Sequence, residues 1–121
     1  MPSPRDLKAH AVEFLDRCKE KNLSKGATYL HKSMTAYHDD NPPVKGAGQF
    51  IAGWTKAIQF IPNFKIEVKD AVKDGNKVWL FSKITGLPGG VFKDSVDRSV
   101  WGEEGKFVET KDVQRVLEQG Q

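Results

Sequence analysis

Asp97 lies in the segment Asp94-Ser95-Val96-Asp97-Arg98-Ser99-Val100-Trp101, a carboxyl set among small and apolar residues. If this segment is a strand, its side chains alternate. Ser95, Asp97, Ser99 and Trp101 then share one face, and Asp94, Val96, Arg98 and Val100 share the other. Neither face is cleanly apolar, and alternation leaves two readings open. With the Trp101 face turned inward, burial raises the Asp97 carboxyl's pKa and suits it to general-acid work. With Val96 and Val100 turned inward, Asp97 is a solvated surface residue.

His38 stands between Tyr37 and Asp39, just ahead of Pro42-Pro43. An imidazole beside a carboxylate is an acid–base candidate, although a single histidine in a loop is also an ordinary surface residue. His10 and His31 fall in helical, mostly polar surroundings and read as surface residues. No pair of histidines has the His-x-His or His-Glu-x-x-His spacing of a metal site, so no metal is expected. Cys18 sits on an apolar helical stripe and reads as a buried structural thiol rather than a nucleophile. Lys45-Gly46-Ala47-Gly48 and Gly86-Leu87-Pro88-Gly89-Gly90 lack the glycine spacing and the Lys-Ser/Thr ending of a phosphate loop, so both read as turns. Trp54, Trp79 and Trp101 are core aromatics, and the fold decides whether they also wall a cavity.

A chain of 121 residues, 38% hydrophobic and 29% charged, holds one compact domain over residues 1–121. That excludes an enzyme with a separate nucleotide-binding half. One cysteine rules out a disulfide within the chain, and no apolar run approaches the ~20 residues of a membrane span. With no secretory apolar segment either, a soluble, cytoplasmic protein is expected. The net charge is +3, from 19 basic and 16 acidic residues. Bases alternate with acids, as in Lys65-Ile66-Glu67-Val68-Lys69-Asp70, so no one-sign stripe forms and neither nucleic acid nor membrane is an expected partner.

The elements that must position these residues follow from periodicity. Ser3, Pro4 and Asp6 make a helix start signal, and Leu7, Ala11, Phe14, Leu15 and Cys18 form the apolar stripe of a helix ending near Asn22. A shorter helix from Ser24 is expected to carry Ala27 and Leu30 inward, followed by extended residues Met34 to His38. Asp39 to Pro43 is a loop, because each X-Pro bond disfavours helix before it. Phe50, Ile51, Trp54, Ala57, Ile58 and Ile61 form the stripe of a helix opened near Gly46 and stopped by Pro62. The period then becomes two: Phe64, Ile66 and Val68 alternate with charges ahead of an Asp74-Gly75 turn. Strands follow over Lys77–Thr85, Phe92–Trp101 and Lys106 to about Val116. Helices first and then a meander of long strands give an α+β fold.

Two segments together resemble the SnoaL-like polyketide cyclase family of the NTF2-like (cystatin-like) superfamily. The first is Tyr37-His38-Asp39-Asp40-Asn41-Pro42 followed by Gly46 and Phe50. The second is Val96-Asp97-Arg98, then Glu104-Gly105-Lys106-Phe107-Val108-Glu109 and Asp112-Val113-Gln114. Ile61-Pro62-Asn63-Phe64 and Asp74-Gly75 fall between them in the family's order, so the likeness runs from about Leu7 to Val116. It implies a cone in which a curved antiparallel sheet wraps three N-terminal helices, with Asp97 pointing into the cone.

The resemblance further implies a small cofactor-independent lyase, isomerase or cyclase acting by aldol or enolisation chemistry on an apolar carbonyl compound such as a polyketide or terpenoid. Asp97 would be acid or oxyanion donor and His38, or alternatively Asp39, the base. Phe14, Tyr37, Trp54, Trp79 and Trp101 would contact the substrate, a small apolar or aromatic molecule. Some positions depart from the pattern. Phe14 stands where related ketosteroid isomerases have an oxyanion-donating Tyr, so steroid isomerisation is not expected, and Glu109-Thr110-Lys111-Asp112 replaces Glu-His-Trp-Asp. The rival reading is a non-catalytic NTF2-like module that binds a ligand or a protein, since one fold serves both. A homodimer paired through the sheet's outer face is expected under either.

Overall fold

The computed structural model describes residues 7–39, 41–61, 63–102 and 105–117. The expected helix start at Ser3, Pro4 and Asp6, the loop residue Asp40, the helix stop Pro62 and Glu103-Glu104 of the last turn lie outside the described residues. Helix α1 (Leu7–Lys19) buries its predicted stripe, Leu7, Ala11, Phe14, Leu15 and Cys18. Helix α2 is short (Leu23–Gly26), capped by the Asn22 side chain accepting from the Lys25 N–H. A 3₁₀ turn, Ala27–Tyr29, follows.

Strand β1 then begins at Leu30 and runs to His38, four residues earlier than the apolar pattern indicated. Leu30 and His31 are therefore strand residues, not helical ones. Leu30, Met34 and Ala36 are buried along β1, and the sheet's demand for apolar partners outweighs weak helix propensity here. A two-residue strand β2 (Val44–Lys45), too short to be read from periodicity, pairs with Thr35 and Ala36 of β1. Next come α3 (Ala47–Phe60) and four long strands: β3 (Lys65–Asp74), β4 (Lys77–Thr85), β5 (Phe92–Trp101) and β6 (Phe107–Leu117).

The sheet order is β2-β1-β6-β5-β4-β3. Strands β3 to β6 form the expected antiparallel meander, but β1 joins β6 in parallel. The sheet is therefore mixed rather than wholly antiparallel, because a parallel pair needs a long crossover and the whole of α3 and β3–β5 provides it. Bulges interrupt the register between Val68 and Asp70 and between Val100 and Trp101. Each adds bend and twist, and the six strands curl around the helices.

Helix α1 packs on β3 and β4, while α3 packs on β1 and β2. The middle strands β5 and β6 run between the two helices. At one end of this strip α1 meets the sheet through aromatic rings: Phe14 lies 5.0 Å from Phe107 of β6, edge to face, and Phe107 lies 5.3 Å from Trp101 of β5. Such contacts add to simple area burial, and Trp101 and Phe107 are almost wholly buried. Gly86 makes the turn after β4 possible. Its φ is +76°, and a Cβ there would lie 2.0 Å from the Asn63 carbonyl oxygen.

Candidate active site

Burial along β5 decides between the two readings of its faces. Ser95, Ser99 and Trp101 are buried, whereas Val96 and Val100 are partly exposed. Asp97 alternates in step with Ser95, Ser99 and Trp101, so its side chain, itself half-buried, lies on the inner face of the sheet. Across β4 it is paired with Leu80, 3% exposed. Across β6 it is paired with Asp112, and Asp112 is in turn paired with His38 of β1. Leu80, Asp97, Asp112 and His38 thus form one transverse row on one face.

The polar end of the row is tightly bonded. His38 Nδ1 lies 2.7 Å from Asp112 Oδ2 and 2.9 Å from Oδ1, a pairing of residues 74 positions apart in sequence. Gln114 Nε2 donates to Asp112 Oδ2 at 3.1 Å. Asp39 closes the corner: its backbone turns left-handed at φ +47°, and its N–H donates to the Asp112 carbonyl at 2.9 Å. Its Oδ1 accepts from the Gln114 N–H at 3.0 Å. Asp39 Oδ2 lies 3.6 Å from His38 Nε2, too far for a good hydrogen bond. At the other end of the row the Ser95 hydroxyl donates weakly to Asp97 Oδ2, at 3.4 Å.

Removal from water pushes the Asp97 carboxyl up to about 7, and the neighbouring Asp112 charge adds to the shift; the Ser95 hydrogen bond and His38 oppose it. Burial also raises Asp112, against the pull of His38. Two carboxyls side by side in a poorly solvated place resist double ionisation. The row therefore retains a proton near neutrality. An ionised Asp112 takes the Nδ1–H of His38, which leaves Nε2 as the imidazole's free lone pair.

The remaining sequence candidates divide by face. Phe14, Trp54 and Trp101 lie on the interior side, in one aromatic cluster with Phe50 and Phe107. The Trp101 indole N–H donates to the Ser99 hydroxyl at 2.8 Å. Tyr37 and Trp79 are corrected: Tyr37 pairs with Lys111 and Trp79 with Arg98 and Val72, all on the outer face, because each alternates with buried neighbours. Cys18 is fully buried in the core and burial pushes its thiol up to about 12, so it is not a nucleophile. Asp112 and Gln114 were missed as site residues. The alternation of polar Thr110, Asp112 and Gln114 on a late strand was the available signal, but it does not tell which strand they face.

Two surface depressions of about 490 and 500 Å³ lie along β3, both touching Lys65 and Thr85. Neither includes a member of the row. Among the described residues no group of three or more His, Cys, Asp or Glu is arranged to hold a metal ion, and no helix is long and apolar enough to cross a membrane.

The SnoaL-like domain matches residues 11–120. The chain belongs to the SnoaL-like family. A relative from Aspergillus carbonarius, named probable cyclase otaY, is 32% identical over 118 residues, covering 97% of this chain and 95% of that protein. Among solved structures, a protein of unknown function with a cystatin-like fold from Methylobium petroleophilum superposes with a TM-score of 0.83 at 13% identity, covering 98% of this chain and 82% of that one. An NTF2-like protein of unknown function from Cytophaga hutchinsonii gives 0.75 at 17% identity, over 95% and 92% of the two chains. The SnoaL-like chain thus has the NTF2-like, cystatin-like fold, an architecture of the polyketide cyclase and isomerase type. Its inner row, Asp97–Asp112–His38, runs across β5, β6 and β1 of that fold.

Proposed function

We propose that this SnoaL-like protein is a cofactor-independent cyclase or isomerase that enolises an apolar carbonyl compound, a polyketide or terpenoid, by proton transfer between Asp97 and His38. The observation that carries the reading is the in-register row: a carboxyl that burial pushes up to about 7, and, two strands away, an imidazole oriented through Nδ1 by the carboxylate that lies between them. In the forward step, His38 Nε2 takes the proton α to the carbonyl. The C–H electron pair becomes the C=C bond of an enol, and Asp97 gives its proton to the carbonyl oxygen. The enol carbon then attacks a carbonyl elsewhere in the same molecule, the enol O–H returning its proton to the Asp97 carboxylate and the new alkoxide taking the proton from the His38 imidazolium, which closes a ring; or, where the enol is conjugated to a second C=C, His38 gives its proton to the far carbon as Asp97 recovers its own, which moves the double bond. Asp112 stabilises the imidazolium formed between the two transfers. The aromatic cluster around Phe14, Trp54 and Trp101 supplies an apolar wall.

The test is α-proton exchange. 2-Acetonaphthone in D₂O is followed by ¹H NMR with the wild type, Asp97→Asn and His38→Gln. Exchange above buffer in the wild type, lost in both variants, is expected. No exchange in the wild type would favour the non-catalytic binding module.

We also propose a homodimer through the outer sheet face. Phe81, Val96 and Val113 stand in register across β4, β5 and β6, and Phe81 and Val113 are 39% and 54% exposed. Exposed apolar rows of this kind are common at interfaces. Light scattering on the wild type and Val113→Asp tests it: a dimer that becomes a monomer is expected.

A further inference from the structure

Lys93 lies on the same inner face of β5 as Ser95 and Asp97. At a strand rise of ~3.3 Å per residue it stands roughly 13 Å along the wall from Asp97, Cα to Cα. Its cross-strand neighbours on that face are Ile84 of β4 and Val116 of β6, both aliphatic. Ile84 is buried, while Val116 is 60% exposed, so Lys93 stands at the end of the strip that opens to solvent. This end lies opposite the aromatic plug of Trp101 and Phe107.

The half-buried ammonium makes one hydrogen bond, to Gln114 Oε1 at 3.2 Å, and pairs with no carboxylate among the described residues. The adjacent acid, Asp94, lies on the outer face and is engaged by Arg115 at 3.0 Å. A half-buried lysine whose acceptor is a neutral amide is left without a counter-ion. The amide that holds it is itself oriented, because Gln114 gives its Nε2 to Asp112. A second unfilled polar group lies between Lys93 and Asp97. Ser82 faces Ser95 directly across β4, is only 5% exposed, and its hydroxyl has no partner.

We infer that the substrate, apolar around its reacting carbonyl, carries at its far end an anionic oxygen group, a carboxylate or a phenolate, which Lys93 receives at the exposed end of the strip while the carbonyl lies at Asp97. This rests on the enolisation reading above and adds the substrate's class and orientation. The two carboxyls deeper in the row repel a second anion, so the charged end of the molecule stays outward and the neutral carbonyl end enters. Ser82 and Ser95 offer hydroxyls to oxygens in between.

The test is calorimetric binding of 6-acetyl-2-naphthoate, a ketone with a carboxylate at its far end, against its methyl ester. The wild type is expected to bind the acid roughly tenfold more tightly than the ester, the size of a charge-assisted hydrogen bond. Lys93→Gln keeps an N–H for Gln114 and removes the charge. It is expected to bring the acid down to the ester's affinity and leave the ester unchanged, while Lys93→Arg keeps the preference. Equal binding of the two probes by the wild type, a preference that survives Lys93→Gln, or binding of neither would overturn the inference. Binding requires no turnover, so these outcomes are separate from loss of proton exchange, which bears on the enolisation reading alone.

Discussion

His38 Nδ1 lies within hydrogen-bond distance of both oxygens of Asp112, at 2.9 and 2.7 Å. The imidazole is thereby fixed in orientation by a carboxylate that is itself held by Gln114 at 3.1 Å, and its Nε2 lies on the half-exposed side of the ring, 3.6 Å from Asp39 Oδ2. The same carboxylate stands directly across from Asp97. One residue thus has two effects: it orients the His38 imidazole and, by its charge, raises the Asp97 carboxyl.

Asp97 is expected to titrate at about 7 in ¹³C-detected NMR of the free protein, far above the ~3.9 of a model aspartate. A value near 4 would remove the general acid. A raised carboxyl favours the folded state in its protonated form. Its stabilising effect is therefore complete below about pH 4 and is lost as pH rises through about 7. Asp97→Asn is accordingly expected to be more stable than the wild type at pH 8, by roughly 1–3 kcal/mol, with the difference closing towards pH 4. Urea denaturation at the two pH values checks the sign.

Asp112→Asn keeps a hydrogen-bonding group beside His38 but removes the charge. Because the Asp112 charge is the second cause of the Asp97 shift, after burial, the substitution is expected to lower the Asp97 pKa without returning it to the ordinary value. Proton exchange is expected to fall by roughly 10²-fold, the typical worth of a positioned acid–base group. An unchanged Asp97 titration in this variant would break the proposed coupling.

Gly86→Ala is expected to destabilise the fold by more than ~1 kcal/mol, the ordinary cost of placing a side chain at positive φ. The new Cβ would fall 2.0 Å from the Asn63 carbonyl oxygen, so the β4 turn must shift. A denaturation midpoint equal to the wild type's would show that the turn relaxes freely.

Cys18 is expected to resist iodoacetamide in the native protein at pH 8 and to react fully in denaturant. Burial pushes the thiol up to about 12, so thiolate is scarce and the sulfur is out of reach. Rapid native-state labelling would contradict the packing of α1.

Local pattern alone was enough for most of the architecture. The stripe from Leu7 to Cys18, the stripe from Phe50 to Trp54 and the alternation through β3, β4 and β5 announce their elements because a helix or strand repeats at 3.6 or 2 residues whatever it packs against. Asp97 and His38 stood out by residue type and setting. The early start of β1 at Leu30 and the short β2 did not, since both are made by pairing with distant strands.

What only the tertiary structure decided is which of these residues meet. Between β5 and β6, Trp101 pairs with Phe107 but Val100 pairs with Glu109, so Val108 is an extra residue in a bulge. Carried on without that bulge, the turn-proximal register would set Asp97 opposite Lys111 and put a cation on the inner face. With it, Asp97 faces Asp112. The parallel pairing of β1 with β6 then brings His38 to the same carboxylate. The sequence by itself determined most of the elements and marked Asp97 and His38 as the acid–base candidates, because these depend on neighbours a few residues away. The face each side chain takes depends on register, and a one-residue slip inverts it. That is why Asp112 came to stand between Asp97 and His38.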